Sequence, residues 1–155
     1  MSDSIMDNKY QPYHLEINTL GFYVDRLLFA MIKRQNQMLK ESQLDLQHSE
    51  FITLKVLNVL KEASQTEIAS VMGKERSGVG RILASLEKKG YIERKPLNGS
   101  TNFVTLTEKG KDAIPLITEL SNKLTDLTLR GFSAQKRQSI LKSLDRLYKN
   151  AIDAR

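Results

Sequence analysis

The side chains with the clearest chemical potential lie in one short basic segment, residues 74 to 95. This segment holds seven lysines and arginines against three acidic residues, and so carries most of the chain's net charge of +6. Such cations form charge-assisted hydrogen bonds with phosphate oxygens, and a guanidinium also pairs with guanine O6 and N7. The segment therefore predicts a surface that binds the backbone of a nucleic acid. A solvated helix face is the alternative interpretation of a charge run.

Two short helices are predicted to position this segment. Ser64 and Glu67 have the spacing of a capping box at the start of the first helix, and Gly73 favours a left-handed cap at its end. The second helix is predicted from about Glu75 to Lys89. Its buried face would consist of Val79, Ile82, Leu83 and Leu86. On or near the opposite face lie Arg76, Ser77, Gly80 and Arg81. Two helices joined in this way indicate a helix-turn-helix, whose second helix fits the major groove of DNA.

A β-hairpin is predicted directly after the second helix. Asn98-Gly99 stands between two apolar runs, which is a strong signal for a tight hairpin turn. In the second strand Phe103 and Thr105 would point to one side of the hairpin. Val104 and Leu106 would point to the other side. A hairpin in this position is the wing of a winged helix.

Three stretches carry motifs that occur in a fixed order. Residues 78–81 read GVGR, residues 86–94 read LEKKGYIER, and residues 106–110 read LTEKG. In this order and spacing they resemble the core of the MarR family of bacterial winged-helix transcriptional regulators. The resemblance covers nearly the whole chain after residue 14. It implies a mostly α fold with a small β-hairpin wing (α+β), a winged helix-turn-helix whose long terminal helices form a dimerisation bundle.

The resemblance divides the chain into four parts. Residues 1–14 would be a flexible arm, and residues 15–47 the first dimerisation helix with its loop. Residues 48–106 would form the DNA-binding lobe, and residues 107–155 the C-terminal dimerisation helices. The terminal helices carry apolar stripes at coiled-coil-like steps, with more apolar surface than one small domain can cover. The residues predicted at a homodimer interface are Ile17, Leu20, Leu120, Leu124, Leu127, Leu144 and Leu147.

Double-stranded DNA is the expected partner, read as a near-palindrome by a dimeric repressor. Arg76, Ser77 and Arg81 are predicted at the major groove, where Gly80 would allow close approach. A salt-bridge role is the alternative for Arg81. The free N–H groups at the start of a helix suit a phosphate, which implicates Ser64, Gln65 and Thr66. The residues predicted to hold the DNA backbone are Lys74, Lys88, Arg94 and Lys95.

The wing departs from the family pattern. The family usually carries a D-x-R sequence at the wing tip, and the corresponding positions here hold Asn98, Gly99 and Ser100. No arginine lies between Lys95 and Lys109, so weaker minor-groove readout is expected. The residues predicted to contact phosphates from the wing are Lys95, Asn98, Ser100, Thr101 and Asn102.

A small-molecule effector is a further expectation from the resemblance. Many family members respond to a small aromatic or phenolic anion bound between the dimer helices and the DNA-binding lobe. The residues that would line such a crevice here are Tyr23, Arg26, Leu27, Ala30, Phe51 and Leu54. An ordinary role in the core or the interface is the alternative for all six.

The composition excludes several other classes of function. The chain has no cysteine, which excludes disulfides, thiolate metal sites and thiol redox sensing. No apolar run approaches the length of a membrane span and no signal-peptide pattern is visible, so we expect a cytoplasmic protein. The only histidines are His14 and His48, without a catalytic or metal-binding spacing, so we expect no enzyme and no cofactor. The alternative function is an effector-independent architectural DNA-binding protein, or a winged helix that binds protein.

Overall fold

The computed structural model describes residues 19–98 and 101–153, without the side chains of residues 97, 98 and 101. It confirms the predicted fold class, a mostly helical chain with a small antiparallel sheet. In chain order the elements are α1 (Leu20–Glu41), α2 (His48–Leu60), β1 (Glu62–Ser64), α3 (Gln65–Met72), α4 (Arg76–Lys88), β2 (Ile92–Asn98), β3 (Thr101–Leu106), α5 (Glu108–Thr128) and α6 (Ala134–Ile152). None of the described helices is both long enough and apolar enough to cross a membrane.

The helix boundaries follow from short capping signals. Ser64 Oγ accepts a hydrogen bond from the Glu67 backbone N–H at 3.2 Å, and the Glu67 carboxylate accepts one from the Ser64 N–H at 2.7 Å. The predicted capping box is therefore confirmed. Gly73 ends α3 with a left-handed backbone at φ +59°, as predicted. Thr107 and Ser133 cap α5 and α6 through their hydroxyl groups.

Two predicted helix starts are wrong. The first helix was predicted from Leu15, but Thr19 has an extended backbone and caps a helix that begins at Leu20. For the second helix, Ser49 followed by Glu50 suggests a cap at position 49, but α2 begins at His48. The residue before it, Gln47, donates its backbone N–H to the Glu50 carboxylate at 2.8 Å. This local hydrogen bond moves the cap two positions upstream. Residues 1–18 lie outside the described residues, and with them the predicted interface residue Ile17.

The sheet has three strands in the order β1-β3-β2, all antiparallel. The side-chain alternation predicted for β3 is confirmed, since Val104 and Leu106 are buried and their neighbours Phe103 and Thr105 are only partly covered. The sequence analysis missed β1, which pairs with β3 from Glu62 to Ser64. The tip of the wing, Gly99 and Ser100, lies outside the described residues.

One hydrophobic core holds α4 against the rest of the chain. The fully buried residues of α4 are Val79, Leu83 and Leu86. The core also takes Leu120 and Leu124 from α5, which are only 6% and 9% exposed. We predicted these two leucines at an interface with a second chain, and the structure corrects this. Both belong to the core of the same chain, in which α5 packs against α1 and α2. The spacing of an apolar stripe on a helix does not show which surface covers it.

Among the described residues, most of the exposed large apolar side chains lie on α1, α5 and α6. In α1 the N-terminal half exposes large apolar side chains, including Leu20 and Phe29. In α6 no described residue is buried, and Leu144 and Leu147 are 43% and 39% exposed. Leu127, near the end of α5, is also exposed. Clustered exposed apolar side chains of this kind commonly mark a surface that binds another molecule.

Candidate nucleic-acid interface

The second helix of the helix-turn-helix, α4, presents its polar side outward. Val79 on the opposite side is fully buried, which fixes the helix rotation about its axis. Arg76, Ser77 and Arg81 are consequently all exposed. Within residues 19–98 and 101–153, neither Arg76 nor Arg81 has an ion-pair partner. The salt-bridge alternative for Arg81 thus finds no support in this part of the chain.

A polar cleft of about 430 Å³ lies where α3, α4 and the wing meet. Its lining residues are Ser64, Gln65, Thr66, Arg76, Arg94, Asn102 and Val104. All but the last were predicted to contact DNA, so the fold gathers residues from three separate stretches of sequence. The cleft combines two guanidinium groups with the N-terminal end of α3, and both favour an anion.

Arg94 has an incompletely satisfied guanidinium within this cleft. Its Nε atom lies 3.1 Å from Glu87 Oε2, but the N–H is not directed well enough to form a hydrogen bond. The atom is also buried from solvent. Arg94 therefore forms an ion pair with Glu87, and its Nε atom is shielded from an anion in the cleft.

Gln65 is held between the two helices of the helix-turn-helix. Its Nε2 atom donates to the backbone carbonyl of Arg76 at 2.8 Å. A methyl group at Gly80 would come within 2.9 Å of this same Nε2 atom. The structure shows that the missing side chain of Gly80 makes room for Gln65, and the close approach of DNA at Gly80 stays a prediction. This packing could not be read from the sequence, because the two residues lie on different helices.

Gly80→Ala is expected to be nearly neutral for the free energy of unfolding. Alanine stabilises a helix by about 1 kcal/mol relative to glycine. The new methyl group would displace Gln65 and remove a hydrogen bond that contributes about 1 kcal/mol. In a Gln65→Ala background the same substitution should stabilise by about 1 kcal/mol. Urea unfolding of the four proteins measures this coupling, and equal effects of Gly80→Ala in both backgrounds would contradict the contact.

The remaining predicted DNA-binding residues differ in whether they form an ion pair within the described residues. Lys74 and Lys88 are exposed, and neither forms an ion pair within the described residues. Lys95 pairs with Glu93 at 2.9 Å, and its hydrogen bond to that carboxylate is the main cause of a lowered Glu93 pKa. Part of the charge of Lys95 is therefore neutralised on the wing itself. The side chains of Asn98, Ser100 and Thr101 lie outside the described residues.

The six residues predicted to line an effector crevice do not lie together around a cavity. Phe51 and Leu54 are 1% and 0% exposed in the core. Tyr23, Arg26, Leu27 and Ala30 lie exposed along the N-terminal half of α1. Within the single chain the exposed half of α1 does not pack on the core that encloses Phe51 and Leu54. A crevice completed by a second chain stays a prediction.

One charged cluster beside the interface was not predicted. The buried Glu50 carboxylate accepts hydrogen bonds from Lys89 Nζ at 2.8 Å and from Ser85 Oγ at 2.6 Å. Glu50 belongs to the start of α2, whereas the other two residues belong to the end of α4 and its cap. The spacing of Gln47 and Glu50 is typical of a helix cap and is a local signal for Glu50. No neighbouring residue indicates that its other partners lie on α4.

Comparison with known proteins agrees with this geometry. The model of the MarR family matches residues 44–99. An HTH-type transcriptional regulator of Bacillus cereus is 32% identical over 99 residues, which cover 63% of this chain and 67% of that protein. The chain belongs to the MarR family.

Solved structures of MarR-type proteins share the fold. A MarR family transcriptional regulator from Listeria monocytogenes, complexed with a 26mer DNA, superposes with a TM-score of 0.81 at 23% identity, covering 89% of this chain and 92% of that one. BpsR of Bordetella bronchiseptica, whose DNA binding is regulated by 6-hydroxynicotinic acid, superposes with a TM-score of 0.76 at 18% identity, covering 89% and 98%. At these identities the likeness concerns the fold.

Proposed function

We propose that this MarR-family transcriptional regulator binds a near-palindromic operator as a homodimeric repressor. The observation that carries the proposal is the outward, unpaired placement of Arg76 and Arg81 on α4, beside a cleft lined by Arg94. The N-terminal end of α4 is free to enter a major groove, and the cleft has the chemistry to bind a backbone phosphate. DNA binding by the Listeria relative supports the same role here.

The dimer is proposed from the uncovered apolar surfaces of α1, α5 and α6. A symmetric pair of chains would cover the exposed leucines of both and would present two copies of α4 about 34 Å apart. Leu20, Leu127, Leu144 and Leu147 are the interface residues that stay in this proposal. The division into dimerisation helices and a DNA-binding lobe is proposed with it.

The function is tested by selecting bound fragments from the source genome with the purified protein. Recovery of one recurrent palindromic sequence supports an operator-specific regulator. Its affinity should fall steeply with salt, because phosphate contacts release counterions. Equal binding to all duplexes would support the architectural alternative, and binding to none at low ionic strength would refute the proposal.

Arg81→Ala is expected to weaken binding to the selected site by about 1 to 3 kcal/mol and to relax the preference at one base pair per half-site. The physical reason is the loss of a guanidinium that pairs with a base edge in the major groove. Fluorescence anisotropy on single-base variants of the site measures both effects. Arg137→Ala is the matched control, since Arg137 pairs with Asp126 on the C-terminal helices. Unchanged affinity and preference for Arg81→Ala would remove this residue from the interface.

A response to a small aromatic acid is the second part of the proposal. The regulation of BpsR by 6-hydroxynicotinic acid suggests the ligand class. A cavity of about 540 Å³ between the end of α1 and the start of α2 has a volume suited to such a ligand. His48 lines it, and burial, with the positive charge of Lys74 second, lowers the pKa of this histidine. Adding 6-hydroxynicotinic acid and related acids to the binding assay tests this part of the proposal.

A further inference from the structure

Glu50 is a buried carboxylate with a full set of hydrogen-bond donors. It is 4% exposed. Besides Lys89 and Ser85, it accepts the Gln47 backbone N–H at 2.8 Å. Burial alone would raise its pKa, but the hydrogen bonds from Lys89 and Ser85 outweigh this and lower it. The carboxylate is therefore ionised at neutral pH.

Lys89 contacts three other parts of the chain, through its side-chain ammonium group and through its backbone carbonyl. Its Nζ atom also donates to the Asp45 carbonyl at 3.0 Å and lies 3.6 Å from Asp45 Oδ1, in the loop before α2. Its own backbone carbonyl accepts a hydrogen bond from Lys109 Nζ at 2.6 Å, at the start of α5. The cap of α4 is thus tied to the loop before α2, to α2 itself and to α5.

These contacts are directional, unlike the apolar contacts along the rest of α4. The hydrophobic effect that buries Val79, Leu83 and Leu86 is non-directional. Small rotations of the helix therefore cost little free energy. A buried ion pair adds little net stability, because desolvation offsets the attraction, but it can select one arrangement among several. The arrangement selected here is the angle between α4 and α2.

We infer that Glu50 and Lys89 are positioning residues, whose pair sets the angle of α4 against α2 and thereby the separation of the two α4 helices in the dimer. The inference rests on the proposed function, since it needs the dimer. Neither residue faces the cleft described above, so each acts on DNA only through the placement of Arg76 and Arg81.

Because the chain has no cysteine, a spin label can be attached at one introduced cysteine, and the separation of the two α4 helices can then be measured. Ala84 is exposed on α4, so Ala84→Cys provides one spin-label site per chain. Pulsed dipolar spectroscopy of the full-length dimer, without DNA, then gives the distance between the two helices. Because the sample is folded protein, a loss of stability alone does not change this distance.

Glu50→Gln and Lys89→Met are compared with the parent in this background. Glutamine removes the charge and keeps one acceptor oxygen, so it can still accept either the Gln47 N–H, which binds Oε2, or the Ser85 hydroxyl, which binds Oε1. Each variant should shift or broaden the distance by about 2 to 4 Å, since a helix shift of about 1 to 2 Å occurs in both protomers. The double variant should change it no further than either single variant. Lys111→Met, which breaks the exposed pair with Glu108, is the control and should leave the distance unchanged.

The outcomes separate the two proposals. A distance equal to that of the parent in every variant that folds would overturn the inference and leave the proposed function standing. A parent sample without any distance between labels would overturn the dimer, and the inference with it. Since the substitutions lie at opposite ends of the pair, one folded variant is sufficient for the test.

Discussion

Gly110→Ala is expected to lower the free energy of unfolding by about 3 kcal/mol or more, with a fall in Tm of roughly 10 °C. A methyl group at this position would lie 2.2 Å from the carbonyl oxygen of Tyr91. That oxygen already accepts the Thr107 N–H at 3.1 Å, so the backbone cannot retreat without breaking the junction between wing and α5. The glycine of the LTEKG motif is therefore explained by close backbone packing. Thermal and urea unfolding followed by circular dichroism measure the loss.

Gly78→Ala is the matched control for this substitution. Gly78 is the third residue of α4, just as Gly110 is the third residue of α5. A methyl group at Gly78 would meet nothing within 4 Å. It should leave stability unchanged or raise it by up to about 1 kcal/mol. Equal losses at the two glycines would indicate a general effect of helix N-termini and would contradict the proposed clash.

The double substitution Leu144→Glu with Leu147→Glu is expected to convert the proposed dimer into a folded monomer. Both leucines are exposed in the single chain, so the substitutions should leave its core intact. A fully buried leucine contributes about 1.5 to 3 kcal/mol, and a two-fold interface loses each leucine twice. The dimer dissociation constant should therefore rise at least about 1,000-fold. Analytical ultracentrifugation over a range of concentrations measures it, with circular dichroism to show that the helices remain.

Two further substitutions test whether the loss of the dimer is specific to the exposed leucines of α6. Leu120→Glu should abolish cooperative unfolding altogether, because it places an unpaired charge in the core of the chain itself. Val59→Glu changes an apolar side chain that is 76% exposed on α2 and should leave the dimer intact. A dimer that survives the double substitution in α6 would show that another surface joins the two chains.

The parts of the fold that sequence alone predicted correctly have local causes. Ser64 with Glu67 and the glycine at position 73 set the ends of α3 through atoms only a few residues apart. The hydroxyl caps at Thr107 and Ser133 are equally local, because each binds a backbone N–H three residues further along the chain. The alternation around Val104 predicted which side of the wing would be buried. The basic segment was likewise local, since charge and helical spacing together indicate its outward face.

Other features depend on contacts between residues far apart in the chain. The strand β1 is three residues long and exists only because β3 lies beside it. Its backbone had no pattern of its own to reveal it. Gly80 makes room for a side chain from α3, and Glu50 finds its charged partner on α4. In each case the sequence shows a residue that could pack closely or form an ion pair, but its partner comes from a distant part of the chain.

The sequence by itself determined the family, the order of the helices and the outward placement of the basic segment, because capping, periodicity and charge act over a few neighbouring positions. Only the tertiary structure decided which apolar stripes are internal. It placed Leu120 and Leu124 inside the chain and left Leu144 and Leu147 uncovered, although all four follow the same helical pattern. Hydrophobic burial has no direction of its own, so the partner of an apolar face is settled by the whole fold.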